Sequence, residues 1–508
     1  MTRHREVERK FNADPSALLP DLSVAAAAVS EAVESQLDAT YFDTADMRLA
    51  RHRITLRRRT GGDDAGWHLK LPAGLDERTE IRLPLGRATR TVPPALVGEI
   101  RAIVRNRPLI PIAILHTTRL ERRLLDDAGN ALATIADDTV HGQRLRDGAD
   151  EVSTWREVEV ELLDGDRSLL DTVSSQLCAA GLTPSESSSK LARVLGDSAP
   201  LPPEAVPDKL SSAGKATAGA VVLAHLRAQV DELVARDRGA RSDEPDAVHQ
   251  MRVATSRVRS ALATYRTLLD RERTVPVCEE LKWLEQVLER ARDTELLHWR
   301  LQDLVATQPD ELVLGPVRRR VDLELGSRHR AALANLVAAL DDDRYLRLLD
   351  ALDSLLADPP LTARAGRPAR TQLPALVGHA ARRVDRAVLG VADDGTPRAR
   401  DRGLHKVGRS AKRARYAAES AVPVAGKPAT RLANRMEALQ DILGEHHHSV
   451  AAQALLLELA VAAQESGENG FTYGLLYAQE RTDAIDVRRA YGAALKRTAT
   501  TRARRWTR

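Results

Sequence analysis

The chain has 508 residues, room for several domains at about 150 residues each, and 43% of them are hydrophobic while only 3% are aromatic. Lys and Arg number 76 against 72 Asp and Glu, a net charge of +4, so where the charges sit matters more than their sum. The two cysteines, Cys178 and Cys278, have no metal-ligand spacing; this argues against a disulfide scaffold and fits a reducing compartment. The charged N-terminus lacks an apolar core region and no long apolar run follows, so neither a secretory signal nor a membrane span is expected and the protein reads as cytoplasmic.

In chain order, Glu6, Glu8 and Lys10 alternate with Val7 and Arg9. Residues two apart on a strand share a face, so two carboxylates and an ammonium line one side of a first strand. Asp14, Pro15 and Ser16 read as a helix start, and Ser23 to Val33 as an Ala-rich helix. A strand follows from Ala39 to Thr44. Ile54 to Arg59 and Trp67 to Pro72 flank a turn at Gly61–Asp64, the pattern of a hairpin with Arg57, Arg59 and Lys70 on one face. Arg78, Glu80 and Arg82 repeat the alternation. A second hairpin runs over Thr117–Arg123 and Ala131–Asp138, and Glu157, Glu159 and Glu161 share one parity in the last strand. A helix from about Ser168 to Ala180 precedes Ser189 and Lys190.

One parity of these strands is mostly Glu or mostly Arg and Lys, segregated by strand. Such a sheet either exposes its charged face to water or closes into a barrel with the charges in the lumen. A lumen acidic on one wall and basic on the others suits a metal-bound polyanion. The ordered set Glu6-Glu8-Lys10, Tyr41–Thr44, Leu56-Arg57-Arg59, Trp67-Lys70-Pro72, Glu157-Glu159 and Ser189-Lys190 resembles the CYTH family, the triphosphate tunnel metalloenzymes, over residues 2–197. The resemblance implies an α+β domain built on an eight-stranded antiparallel β-barrel tunnel that takes a triphosphate substrate with Mg2+ or Mn2+. It implies metal ligands at Glu6, Glu8, Glu157, Glu159 and one of Asp137 and Asp138, and phosphate contacts at Lys10, Arg57, Arg59, Lys70, Arg119 and Lys190.

Pro200, Pro202, Pro203 and Pro207 break any helix or strand, which places a linker at 198–209. Beyond it, apolar residues recur at helical spacing, as in Val221, Val222, Leu226, Val230 and Leu233. Breaks near 239–245, 309–316, 358–368 and 393–397 divide the helices. Two helices carry basic stripes: His249, Arg252, Arg257 and Arg259 on one, and His405, Lys406, Arg409, Lys412, Arg413 and Tyr416 on the other, with no acid from Arg402 to Ala418. Such a stripe repels itself and suits an anion. His249 and His405 stand 156 residues apart, and Leu281–Asp293 aligns with Met436–His448 at an offset of 155. An all-α half of two repeated helical bundles, about 210–360 and 370–500, is expected.

This repeat resembles the CHAD family over about 210–500, helical domains that bind inorganic polyphosphate. Ser256 and His448 depart from the family pattern, where an arginine and an aspartate are usual. Glu445 to His448 does not read as a metal site, because adjacent helical histidines point in different directions. Trp283 and Trp299 read as core anchors and the basic tail from Arg497 as frayed. The whole chain therefore reads as a divalent-metal-dependent triphosphatase that also binds polyphosphate and associates with it. Two rivals are a polyphosphate-binding protein with a weak or inactive tunnel and a CYTH-type nucleotidyl cyclase. Nucleic acid is disfavoured by the scarcity of aromatics near the basic helices.

Overall fold

The computed structural model describes residues 1–74, 76–87, 90–145, 152–196, 216–391, 396–498 and 505–507. The chain divides into two compact units, Met1–Ala205 and Val206–Arg508. That division falls in the proline-rich stretch at 198–209, which lies outside the described residues.

In the first unit the strands are β1 (Thr2–Ala13), β2 (Ala28–Val29), β3 (Val33–Asp43), β4 (Thr55–Thr60), β5 (Gly66–Gly74), β6 (Glu77–Leu83), β7 (Ile110–Leu125), β8 (Ala131–Arg144), β9 (Val152–Leu162) and β10 (Thr183–Pro184). The long strands pair antiparallel in the order β1-β6-β5-β4-β3-β7-β8-β9, and β9 pairs back with β1. This closes an eight-stranded barrel, while β2 and β10 add short edges on β7 and β1. The period of two then sorts each strand. Aliphatic residues face outward against short helices α1 (Arg48–Arg51), α2 (Pro94–Glu99), α3 (Arg101–Val104), α4 (Arg167–Ala179) and α5 (Lys190–Leu195).

Three core clusters therefore lie outside the barrel wall. Phe11, Ile135, Val158 and Val160 pack on Leu170, Val173 and Leu177 of α4. Phe42, Leu56, Trp67, Leu69 and Ile81 pack on Leu96 and Ile100. Ile112, Leu115 and Val140 pack on Leu191 and Leu195 of α5. The lumen is left to the charged parity.

Asp43 shows why the Tyr41–Thr44 segment matters structurally. Its buried carboxylate accepts the backbone N–H groups of Thr44 (2.6 Å), Leu49 (2.8 Å) and Ala50 (2.9 Å), which starts α1 at the end of β3. The two helices expected before β3 do not form. Asp14 closes a turn, accepting from the Ser16 N–H at 2.8 Å, and residues up to 27 run as turns and bends. Leu19, Leu22, Ala25, Ala26 and Val29 are drawn onto the outer face of the barrel, and that burial overrides the helix propensity of alanine.

The second unit contains α6 (Ala218–Arg241), α7 (Ala247–Thr264), α8 (Arg271–Ala306), α9 (Val317–Asp341), α10 (Asp343–Ala357), α11 (Ala369–Leu389), α12 (Pro397–Ser420), α13 (Val422–Ala425), α14 (Lys427–Glu465) and α15 (Phe471–Thr498). The succession α6-α7-α8-α9 returns as α11-α12-α14-α15, with long helices of 36 and 39 residues in the equivalent α8 and α14 places. The repeats are not free-standing. Leu301 and Leu304 of α8, Val321 and Leu325 of α9, Leu456 and Leu459 of α14 and Tyr473 of α15 share one core cluster. The Tyr265 hydroxyl at the end of α7 meets that of Ser420 on α12 at 2.7 Å.

Trp299 is 76% exposed and so is no core anchor, and Trp283 is half-buried under the Arg344 guanidinium, 4.3 Å from its ring. Of the tail expected to fray, residues 499–504 and 508 lie outside the described residues. Arg505–Thr507 forms a 3-10 turn, and Thr507 is buried against α11 at Gly378, where an added Cβ would meet the Thr507 carbonyl at 2.7 Å.

Candidate functional site

Register places the acids of the barrel. Across β1 and β9, Glu8 lies opposite Glu161, Lys10 opposite Glu159 and Asn12 opposite Glu157. Across β8, Asp138 lies opposite both Glu157 and Arg119. Asp138, Glu157 and Glu159 thereby bring one oxygen each within 4.8 Å of the others. Asp137 takes the opposite face and is held by two hydrogen bonds from Arg156, both 2.8 Å. The expectation for the pair resolves by parity: Asp138 faces the lumen, and Asp137 does not belong to the site.

Lys190 reaches the same three acids from the first turn of α5, at 2.9 Å from Asp138, 2.8 Å from Glu157 and 2.7 Å from Glu159. Ser189 sets that turn by accepting from the Ala192 N–H at 3.1 Å. Lys10 bridges Glu8 (3.0 Å) and Glu159. Burial alone would raise the Glu8 carboxyl; Lys10 and Lys70 overcome it and hold Glu8 down to about 2. For Glu159 burial is likewise outweighed, by Lys10, Lys190 and Arg119. Glu8 and Glu159 are thus ionised at neutral pH. Glu6 and Glu8, 2% and 7% exposed, each keep one buried oxygen that accepts no hydrogen bond. A buried carboxylate oxygen without a hydrogen bond, as on Glu6, or with only the Arg78 guanidinium 3.6 Å away, as on Glu8, is what a hard divalent cation such as Mg2+ or Mn2+ takes, and the residues fit such an ion.

The facing walls are cationic. Arg57 and Arg59 project from β4, Lys70 from β5 and Arg119 from β7. Lys70 meets Glu6 at 2.5 Å, and Arg119 grips Asp138 at 2.8 and 2.7 Å. Arg57 donates to the Tyr41 hydroxyl at 3.3 Å, while the Nε of both Arg57 and Arg59 lacks a partner. Burial, then the fields of Arg57 and Arg119, pull the Arg59 guanidinium down to about 9. Buried cations crowded this way are stable only beside an anion.

Glu80 and Glu161 take part in the alternation legible in the sequence but are not assigned to the site by it. Glu80 is fully buried and accepts from Arg82 Nε (2.5 Å) with His68 Nδ1 at 2.8 Å, so both its oxygens are already engaged by basic groups. Its signal was the Arg78-Glu80-Arg82 alternation. Glu161 lines the same lumen, where burial and then Glu6 raise its carboxyl to about 7. At one rim the lumen opens into a groove of about 870 Å3 lined by Glu8, Arg53, Arg78, Cys178, Ser185 and Ser187.

The basic helices of the second unit also meet, though less freely than the sequence suggests. The expectation of an unpaired stripe is corrected: Arg257 pairs with Glu419 at 2.9 Å, Arg259 pairs with Glu285, and Arg415 pairs with Glu437 at 2.7 Å. Glu419 at the end of α12 and acids on the neighbouring helices α8 and α14 supply these partners. Lys412 sits 3.0 Å from the Ser256 hydroxyl and 3.6 Å from Glu285, so Ser256 turns its place to holding Lys412. Burial and then Arg252 lower Lys412 to about 8. Tyr416 takes Arg257, Arg415 and Lys412 around its ring at 5.3–5.8 Å.

Arg252 Nε and His249 Nδ1 are buried without hydrogen bonds. His249 is lowered by burial, then by Arg292 and Arg252. His405 stacks near His447 at 4.8 Å, Arg409 is exposed, and Lys406 is exposed beside the stripe. Arg413 is lowered by burial and then by Arg383 of α11. Arg292 and His447, both missed as site residues, occupy matching places in the 155-residue alignment, and that was the signal for them. His446 turns instead to Asp401 at 3.0 Å, away from His447, which faces His405.

A closed barrel with an acidic and a basic inner wall, followed by a helical unit with a basic centre, defines a two-domain class. A sequence model of the CYTH domain matches residues 4–195 and one of the CHAD domain matches residues 224–457. Two proteins of Mycobacterium tuberculosis, Uncharacterized protein MT2285 and Uncharacterized protein Rv2226, are each 39% identical over 512 residues, 97% of this chain and 96% of theirs. The chain belongs to the CYTH–CHAD proteins. Among solved structures, PptA from Streptomyces chartreusis is 22% identical at a TM-score of 0.47, over 55% of this chain and all of that one. The CHAD domain from the plant Ricinus communis is 23% identical at 0.46, over 56% of this chain and 93% of its own.

Proposed function

We propose that the barrel hydrolyses a linear triphosphate, inorganic tripolyphosphate or a related compound, with a divalent metal, and that the helical unit binds inorganic polyphosphate. The observation that carries the reading is the buried set Arg57, Arg59 and Arg119 facing Asp138, Glu157 and Glu159 inside one closed barrel. Neither wall is stable alone in a low dielectric; a metal-bound polyanion satisfies both. Glu6, Glu8, Asp138, Glu157 and Glu159 would hold Mg2+ or Mn2+, which supplies charge neutralisation and an activated water. Arg57, Arg59, Lys70 and Arg119 orient the phosphates and stabilise the charge that develops as the terminal phosphoryl departs. Lys190, now among three carboxylates, would turn to a phosphate once a cation takes its place.

In the helical unit, Arg252, His249 and Lys412 offer donors toward a chain of phosphates. Two unpaired cysteines support a cytoplasmic place for the protein, and no helix among the described residues is long and apolar enough to cross a membrane. Phosphate release from tripolyphosphate, ATP and thiamine triphosphate, each with Mg2+ or Mn2+, tests the reading. We expect metal-dependent turnover of tripolyphosphate in the wild type, lowered by about 100-fold or more in Glu8→Gln, which keeps shape and removes ligand charge. Equal rates in a folded Glu8→Gln variant would refute it.

A further inference from the structure

The two rims of the barrel are built differently. Where β4 begins and β5 ends, near Arg53 and Gly74, the lumen opens into the broad groove. At the opposite rim the turn Gly61–Asp64 joins β4 to β5, and its last residue lines the lumen. The Asp64 carboxylate pairs there with Arg59, the final inward cation of β4.

This turn is held by backbone constraints. Gly61 and Gly62 have φ of +80° and +70°, a region that side chains rarely adopt, and a Cβ on Gly61 would fall 1.9 Å from the Gln36 carbonyl oxygen. The Asp64 carbonyl accepts from His68 Nε2 at 2.9 Å, and the His68 Nδ1 is fixed by Glu80 at 2.8 Å. Asp64 is thereby placed beside a 5% exposed guanidinium on which the cations Arg57 and Arg119 act more strongly than the carboxylate of Glu80. Along β4, Arg57 and Arg59 stand roughly 6.6 Å apart at the strand rise of ~3.3 Å per residue.

We propose that Asp64 is a specificity-determining residue that sets the length of phosphate chain the tunnel accepts, its carboxylate closing the cation row at Arg59. The inference rests on the triphosphate reading of the tunnel. A phosphate that reaches Arg59 gains an arginine; one that would extend past it meets a fixed negative charge in a partly desolvated rim, where like charges are poorly screened. At the open rim the described carboxylates Asp76, Glu77 and Asp171 pair with Arg9 and Arg5 of the outward parity of β1 and not with the inward cation row, so the chain terminus lies at the Asp64 end and the remainder of the substrate toward the groove.

The test uses the full chain with Mn2+ and compares kcat/KM for tripolyphosphate, tetrapolyphosphate and long-chain polyphosphate in wild type, Asp64→Asn and Asp64→Ala. Asp64→Asn keeps the shape of the turn, and thermal melting checks that both variants fold. The ratio of tetrapolyphosphate to tripolyphosphate should rise about tenfold in both, the scale expected on relieving one like-charge contact. A purely structural ion pair lowers all three substrates alike. An unchanged ratio in variants that still hydrolyse tripolyphosphate overturns the closure and leaves the triphosphate reading standing. A wild type inactive on every triphosphate overturns that reading and the closure with it.

Discussion

Asp137 and Asp138 differ by one step along β8 and by everything that follows from it. Because side chains alternate across a strand, one carboxylate meets Arg119 and Lys190 inside the barrel and the other meets Arg156 outside. Asp138→Asn should abolish metal-dependent tripolyphosphate hydrolysis. Asp137→Asn should keep most of it and cost some stability, about 1–3 kcal/mol for weakening a part-buried charged hydrogen bond. Steady-state rates and denaturant melts of the two variants check this; equal loss of activity in both would reassign the pair. The same alternation made Glu6, Glu8, Lys10, Glu157 and Glu159 readable from the chain alone. It could not make Asp64 readable, because a turn residue has no parity. Its direction is set by two left-handed glycines and by His68 across the hairpin.

At the scale of elements, the basic stripe of α12 was legible as a spacing, while its electrostatic state was not. Glu285 on α8, Glu419 at the end of α12 and Glu437 on α14 partly neutralise the stripes; only the Arg415–Glu419 pair is legible as a spacing within α12, and nothing in α12 announces Glu285 or Glu437. Among the described residues, Arg252 Nε and His249 Nδ1 are buried without hydrogen bonds, and the buried Lys412 is held by Ser256 and, more loosely, by Glu285. Lys412→Glu with Arg413→Glu should weaken long-chain polyphosphate binding strongly and flatten its dependence on salt, since fewer counterions are released; titrations at two salt concentrations measure both. Binding should also depend on pH. The Lys412 ammonium is held down to about 8 by burial and then by Arg252, so it is charged below that pH and neutral above it. Affinity is therefore expected to fall as pH rises from 7 to 9, and to do so less in Lys412→Arg, whose charge persists. A flat profile in the wild type would remove Lys412 from the contact. The failed helices before β3 belong to this scale as well. Alanine favours a helix in isolation, but the outer wall of a closed barrel needs covering, and Leu22, Ala25 and Val29 cover it as irregular chain.

For the molecule as a whole, the two units fold around separate cores, and the proline-rich stretch at 198–209 lies between them in the chain. Limited proteolysis is expected to cut there and leave two stable fragments, the first hydrolysing tripolyphosphate and the second binding polyphosphate; a single resistant chain, or fragments that unfold on separation, would contradict independent cores. The sequence by itself determined the strand parity, the charged faces, the helical repeat and the place of the break between units. These are local properties, carried by residues two, three or four apart, or by a fixed offset between similar stretches. Only the tertiary structure decided which strands close the barrel, that Lys190 stands among Asp138, Glu157 and Glu159, that Glu80 serves the bases, and that the two helical repeats share one core instead of standing apart. Those outcomes depend on which distant segments bury each other's charge and apolar surface, and a buried charge is stable only where a partner far along the chain is folded against it.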